Sequence, residues 1–292
     1  MLIKTDSPVI IHRDHITQQI ARFWDQISGG WQTIWGQHIH HGYYENELAL
    51  TKEEAQVKLI EKLASLLTIS PQSEILDAGC GLGGSSLYLA KTYDARVTGI
   101  TLSKEQVRLA TAQAQKEHIH QVTFTVADAL ALSPFADNSF DIVWSLESCE
   151  QFYDKALFFK QAHRVLKPGG KFMLATWCSD SDVYEGKLAK NYRKLCLAFD
   201  LPYMPTIAYY RQLFHTQGFD LHHAMDWSCF VKKSWDIGVS LVNTYSLLQL
   251  LRLGGWRGLR FAKQIKLMQK AFQQKHVQYG VLIGSKRTYS GI

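Results

Sequence analysis

From Glu74 to Ala90 the chain reads Glu-Ile-Leu-Asp-Ala-Gly-Cys-Gly-Leu-Gly-Gly-Ser-Ser-Leu-Tyr-Leu-Ala. An apolar run closing on Asp77 meets Gly79, Gly81, Gly83 and Gly84, and an amphipathic segment follows. That order predicts a buried strand, a tight glycine turn and the start of a helix. Glycine has no Cβ, so the backbone can take φ > 0 and a ligand can come close. The unpaired N–H groups of the new helix then face that ligand. Asp77 stands where a strand carboxylate can brace the turn, or reach a cationic group of the ligand through water. The arrangement suits a nucleoside with a small charged tail.

The remainder alternates strands and helices. Residues 52–67 have helical spacing, and strands are expected at 74–77, 96–101, 121–128, 140–145 and 171–177. Helices are expected at 85–92, from Ser103 (a plausible N-cap) and at 155–166. Lys167-Pro168-Gly169-Gly170 reads as a stop before the fifth strand. Such alternation predicts an α/β fold, a mostly parallel sheet with helices on both faces. Ligands in that fold bind outside the carboxyl ends of the strands.

Composition narrows the class. The 292 residues are 46% hydrophobic and 20% charged, ordinary for a globular enzyme. No apolar run is long enough to span a bilayer. The first residues do not resemble a secretory signal. Five scattered cysteines without a C-x-x-C favour neither a zinc ribbon nor a disulfide framework. The expected compartment is therefore the reducing cytoplasm, with peripheral attachment to a membrane as an option. From Ile237 to Ile292 there is no Asp or Glu but nine Lys or Arg, a charge of +9, which leaves −3 for the rest of a +6 chain. A basic C-terminal region can meet a membrane surface or an acidic carrier protein, or be a solvated cationic face. No nucleic-acid motif accompanies it.

The string Gly79-Cys80-Gly81-Leu82-Gly83-Gly84 also satisfies the dinucleotide pattern G-x-G-x-x-G. Asp77, placed as in D-x-G-x-G-x-G, resembles instead the first motif of class I S-adenosylmethionine (SAM) methyltransferases. Residues 74–178 are similar to the SAM-binding core of that family. Longer stretches resemble its gamma-tocopherol methyltransferase branch: Trp35-Gly36-Gln37-His38-Ile39-His40-His41-Gly42-Tyr43-Tyr44, Gly99-Ile100-Thr101-Leu102-Ser103, Trp144-Ser145-Leu146-Glu147-Ser148, Ala175-Thr176-Trp177-Cys178 and Asp226-Trp227-Ser228.

The resemblance implies a Rossmann-like, seven-stranded sheet. It implies a helical lid over residues 1–70, a SAM-binding core over 71–229, a helical substrate cap over 230–275 and a last strand within 276–292. SAM is the implied cofactor and S-adenosylhomocysteine its product. Asp77, Gly79, Gly81 and Gly83 would hold the cofactor's tail, and lid aromatics such as Tyr43 would close over it. Many relatives place an acid after the second strand for the ribose hydroxyls. This chain has Thr101 there, followed by Leu102, and the hydroxyl and amide of Thr101 and Gln106 can serve. Asp128 and the Ala129 N–H fit an adenine, although Asp128 can equally cap the next turn. Ser145 and its neighbours would line the methionine end.

One departure stands out. The branch typically reads Glu-Ser-Gly-Glu-His after the fourth strand, whereas this chain reads Glu147-Ser148-Cys149-Glu150-Gln151. A glutamine amide is no base, so methylation of an aromatic carbon is not carried over. His38 or His41 becomes the candidate base, with Glu150 and Gln151 orienting the acceptor. The alternative is that these histidines only pack within the lid. No metal site is expected, because spacing fixes no carboxylate or cysteine partner for the histidines. The apolar stripes of 241–253 and 261–272 suit a lipophilic small-molecule acceptor, and O-methylation of a hydroxyl in natural-product tailoring is the expected reaction. N-methylation of an alkaloid-type amine and C-methylation of a prenylated phenol are the alternatives. A nicotinamide-dependent oxidoreductase and a non-catalytic SAM-fold adaptor are the competing classes.

Overall fold

The computed structural model describes residues 13–45 and 50–288. The first twelve residues of the expected lid, residues 46–49 and the last four fall outside them. In chain order the elements are α1 (Arg13–Trp35), α2 (Lys52–Ala64), β1 (Glu74–Ala78), α3 (Gly84–Tyr93), β2 (Arg96–Thr101), α4 (Lys104–Lys116), β3 (Val122–Val126), β4 (Phe140–Leu146), α5 (Lys155–Val165) and β5 (Leu166–Ser179). Then come α6 (Gly186–Ala198), α7 (Ile207–Thr216), β6 (Phe219–Asp226), α8 (Ser228–Val231), α9 (Lys233–Asn243), α10 (Leu247–Gln273) and β7 (Val277–Lys286). A 3-10 turn, Cys149–Gln151, follows β4.

The seven strands form one sheet in the order β3-β2-β1-β4-β5-β7-β6. β1 pairs in parallel with β2 and with β4, and β7 runs antiparallel to both β5 and β6. Strand order reverses between β1 and β4, which opens a crevice at their carboxyl ends. Successive side chains sort onto opposite faces, as a pleated strand requires. Ile75, Ile142 and Met173 join the core with Leu59 of α2 and Leu87 of α3. Leu76, Val143 and Leu174 join the core with Phe158 of α5 and Phe214 of α7. Burial on both faces explains why β1 and β4 read as nearly continuous apolar runs.

Local signals fix the helix starts. The Thr51 hydroxyl accepts from the Glu54 N–H in a reciprocal capping box ahead of α2, and Ser246 with Gln249 does the same ahead of α10. Ser103 caps α4 as the sequence predicts. The fifth strand differs from expectation. It begins at Leu166 rather than after Gly170, because Leu166 pairs with Phe140 and the register then shifts before Ile142 meets Lys171. Pro168, which has no N–H to give a ladder, is accommodated in that irregular stretch.

Helices α8 to α10 are inserted between β6 and β7. Within α10 the backbone of Gly255 leaves the helical region (φ 58°, ψ −158°). Helix α1 packs against both α4 and α10, so the N-terminal helix bridges the sheet core and the inserted helices.

Candidate active site

One cavity opens at the crevice and collects the carboxyl ends of four strands. Its wall includes Asp77, Gly79, Gly81, Thr101, Leu102, Gln106, Asp128, Ala129 and Glu147. Its roof is α1, through Phe23, Trp24, Trp31 and Trp35, and the segment Gln37–His41. Its far side is Trp177, Phe199, Leu201, Trp235, Gly238 and Ile265.

At the β1 end, Asp77 is buried and accepts a 2.6 Å hydrogen bond from Ser86 Oγ of α3. Burial pushes its carboxyl up to about 7 despite that bond. An acid held half neutral in this way is primed for a cationic ligand, which would restore its ionised form. The glycines divide their work. Gly79 has φ +90°, and a Cβ there would lie 2.2 Å from the Ser148 Cβ, so this glycine makes room for the loop after β4. Ser148 Oγ in turn donates to the Ala78 carbonyl (2.6 Å) and shares a 2.9 Å bond with Ser145 Oγ. Gly84 makes room for His38, whose Nδ1 would stand 2.4 Å from a Cβ. Gly81, at φ +54°, has only Ile39 nearby, at 3.5 Å, and is the glycine of the loop whose missing side chain leaves space in the cavity. Gly83 caps α3 without any side-chain bond, so the first N–H groups of that helix keep their hydrogen-bonding capacity for an anionic group.

At the β2 end, Thr101 Oγ1 donates to Gln106 Oε1 (2.6 Å) and accepts from the Ser103 N–H (3.2 Å). Thr101 therefore positions Gln106, leaving the Gln106 amide N–H groups as the donors available to a ribose. At the β3 end, Asp128 Oδ1 accepts from the Leu130 N–H (2.8 Å), so the carboxylate does cap its turn. The neighbouring Ala129 is buried in the cavity wall.

The sequence candidates Ser145 and Tyr43 lie outside this wall. Ser145 is fully buried beneath the loop and stands outside the cavity wall, because its hydroxyl is committed to Ser148. Tyr43 also stands outside the wall. Its ring stacks on Phe230 (4.7 Å) and meets Trp227 edge-on (5.2 Å), so it anchors the lid segment to the inserted helices.

A second cluster in the cavity wall is built around Glu147, a residue that the sequence reading placed only among the neighbours of Ser145 in the lining. Its backbone is left-handed (φ +50°), a conformation costly for a residue with a Cβ, and its N–H is tied to the Ala175 carbonyl at 2.8 Å. The side chain is 8% exposed. Oε1 accepts from the His41 N–H (2.9 Å) and the Tyr279 hydroxyl (2.8 Å). Oε2 meets His41 Nδ1 at 2.7 Å and accepts from Trp177 Nε1 at 3.3 Å. Burial alone would raise this carboxyl, yet His41 and its hydrogen bonds hold it below the usual carboxylate range. An ionised Glu147 fixes the proton of His41 on Nδ1 and leaves Nε2 as a proton acceptor, the orienting logic of acid–histidine pairs in other enzymes. The His41 ring is boxed by Trp235 (4.9 Å), Tyr279 (5.5 Å), Trp177 (5.9 Å) and Phe272 (5.9 Å).

His38 lies elsewhere in the wall. Burial, and after it His40, press its pKa down to about 3. Its Nδ1 is 3.3 Å from His40 Nε2, and the Gln56 amide donates to the His38 and His40 carbonyls at 2.7 and 2.9 Å. His38 therefore belongs to the lid's internal hydrogen bonding. Glu150 Oε1 accepts from the Trp177 N–H (2.7 Å), and burial with the nearby Glu147 charge pushes its carboxyl up to about 8. Gln151 Oε1 accepts from Trp24 Nε1 at 2.9 Å, so this residue latches α1 over the site. A second latch is Asp25 Oδ1, which accepts from Ser103 Oγ (2.6 Å) and the Glu105 N–H (3.1 Å).

A sheet of this order, with a glycine-turn site at its switch point and α1 and the inserted helices across it, is the architecture of nucleoside-cofactor transferases. The family model described as "Methyltransferase domain" matches residues 76–174. The tocopherol O-methyltransferase of Arabidopsis thaliana is 32% identical over 284 residues, covering 91% of this chain and 81% of that protein. The 27-O-demethylrifamycin SV methyltransferase of Amycolatopsis mediterranei is 40% identical over 157 residues, 53% of this chain and 57% of that one. Among solved structures, the geranyl diphosphate C-methyltransferase of Streptomyces coelicolor, in complex with Mg2+, geranyl diphosphate and S-adenosylhomocysteine, superposes with a TM-score of 0.74 at 20% identity, covering 93% of this chain and 97% of that one. The chain belongs to the class I SAM-dependent methyltransferases, within the branch that contains the tocopherol methyltransferases. SAM is its cofactor, and the residues present fit it. The wall offers unengaged backbone N–H groups at the start of α3, an amide at Gln106 and an acid at Asp77.

Proposed function

We propose that this methyltransferase acts on a hydroxyl of a neutral, lipophilic small molecule, with His41 as the general base. The observation that carries the reading is the His41–Glu147 pair, buried in the cavity wall. SAM supplies an already activated methyl group on a sulfonium. The enzyme's own work is then to hold an acceptor oxygen in line, exclude water and take a proton. His41 Nε2 receives the hydroxyl proton, and Glu147, braced by Tyr279 and Trp177, stabilises the charge that His41 gains.

The lining supports the acceptor class. Asp77, Asp128, Glu147 and Glu150 face the cavity, and no Lys or Arg is among the described lining residues. A phosphate or carboxylate acceptor would find acidic side chains, Glu147 ionised among them, and no lysine or arginine among the described lining residues to pair with. Trp24, Trp177, Trp235, Phe152 and Phe199 instead offer flat apolar surface. We assign α1 as the lid, with His38 holding the segment behind it, and α9 with α10 as the acceptor cap. Glu150 and Gln151 shape the acceptor end through Trp177 and Trp24.

The test is incubation of the purified enzyme with isotopically labelled SAM and an extract of its host, read by mass spectrometry. The expected product is a labelled methyl ether of an uncharged, lipophilic molecule. A label on carbon, on nitrogen or on a phosphorylated acceptor would refute the assignment.

A further inference from the structure

The cap carries a surface that methyl transfer does not use. Leu247 and Leu248, in the first turn of α10, are 57% and 59% exposed, and Trp256, directly after the break at Gly255, is 78% exposed. Single exposed leucines are unremarkable. Three large apolar side chains within ten residues, on a segment with only positive charge, are not. Arg252, Lys266, Lys270 and Lys275 are exposed along the same helix and the turn that follows it, and none has an acidic partner among the described residues. The sequence from Ile237 onward contains no acid that could supply one.

We infer that α10 docks on an anionic lipid surface, Trp256 and the leucines entering the interface while the cations meet lipid headgroups. Charge complementarity and apolar projection occur together here, as in interfacial amphipathic helices. Exposed leucines and a tryptophan on a helix without a single acid fit a lipid headgroup layer, where Trp is enriched and Lys and Arg meet anionic lipids. Position agrees with use. The same helix packs through Leu250 and Leu259 on Ile34 of α1 and on Val242 and Tyr245, and supplies Ile265 to the cavity wall. A lipophilic acceptor dissolved in the bilayer would thus first meet a helix that also lines the cavity. No described helix is long and apolar enough to cross a membrane, so the contact would be peripheral.

The inference deepens the reading of a lipophilic acceptor, and its test needs no acceptor at all. The full chain is sedimented with vesicles of phosphatidylcholine, alone or mixed with phosphatidylglycerol, at low and high salt. Binding to the mixed vesicles that weakens with salt is expected, with none to phosphatidylcholine alone. The triple variant Leu247→Ser/Leu248→Ser/Trp256→Ser and the pair Lys266→Glu/Lys270→Glu should each weaken partitioning at least about tenfold. Both should keep wild-type affinity for S-adenosylhomocysteine, which reports folding. Equal binding to both vesicle types, no binding to either, unchanged binding by the folded variants, or capture only by an acidic carrier protein would overturn the inference. Failure here with a methyl ether formed in the extract would leave the catalytic assignment standing.

Discussion

The two ends of the cavity are made in different ways. The cofactor end is assembled from residues next to one another in sequence. Asp77 to Ser86 is one strand, one turn and one helix start, and Thr101 to Gln106 is another. The acceptor end is assembled across the chain. Glu147 takes its hydrogen bonds from His41, Trp177 and Tyr279, separated from it by 106, 30 and 132 positions. The cofactor end rests on backbone geometry that the sheet guarantees. The acceptor end rests on side chains from the segment before α2, the turn after β4, and strands β5 and β7, which only the folded chain brings together.

Three perturbations sharpen the contrast, and the largest effect should be at the acceptor end. Glu147→Gln keeps size and some hydrogen bonds but no longer holds the proton of His41 on Nδ1 or balances its charge. The methyl-transfer rate should fall by roughly 10²–10⁴, with S-adenosylhomocysteine affinity by calorimetry near wild type. Loss of both together would show that the two ends are not separable.

At the cofactor end, Asp77→Asn should weaken SAM by roughly tenfold or more, because a hydrogen-bonded charged partner is lost. The wild type should show a matching pH dependence. The free carboxyl sits near 7, and a bound cation favours its ionised form, so binding below that pH expels a proton. Affinity should therefore rise with pH up to about 7 and flatten above it, and the Asn variant should lose this slope. Titration calorimetry at several pH values in buffers of different ionisation enthalpy checks both points. An identical slope in the variant would place the proton elsewhere.

The smallest effect belongs to the latch between the two ends. Trp24→Phe removes the bond to Gln151 while keeping most of the ring. One hydrogen bond is worth about 1 kcal/mol, so KM for SAM should rise several-fold with little change in rate. Gln151→His tests the same contact from the other side. If it moved methylation to a new acceptor atom, Gln151 would be more than a latch.

The legibility of each part in the sequence follows the same division. The first four strands, the glycine turn and the Ser103 cap are legible, because periodicity and capping are local, whereas β6 is not among the strands expected from the residues. Asp77, Gly81 and Gln106, candidates for the cofactor, line the cavity. The reason for Gly79 is not legible. It reads as room for a ligand but serves Ser148, a residue of a distant loop. Tyr43 is expected over the cofactor because an aromatic beside a histidine run looks like a lid contact, and its packing against Phe230 and Trp227 is visible only in the fold. His41 could be separated from His38 only by its partner. The motif Trp144-Ser145-Leu146-Glu147 placed Glu147 at a strand end, but nothing local indicates that a histidine far upstream and a tyrosine on the last strand converge on it.

The most direct test is on His41→Gln, once labelling has identified the acceptor. Single-turnover methyl transfer and S-adenosylhomocysteine affinity are measured on the same preparation. The rate should fall by at least about a hundredfold, while the affinity stays within a factor of two or so of wild type. A rate that survives the substitution would contradict the assignment of His41 as the base.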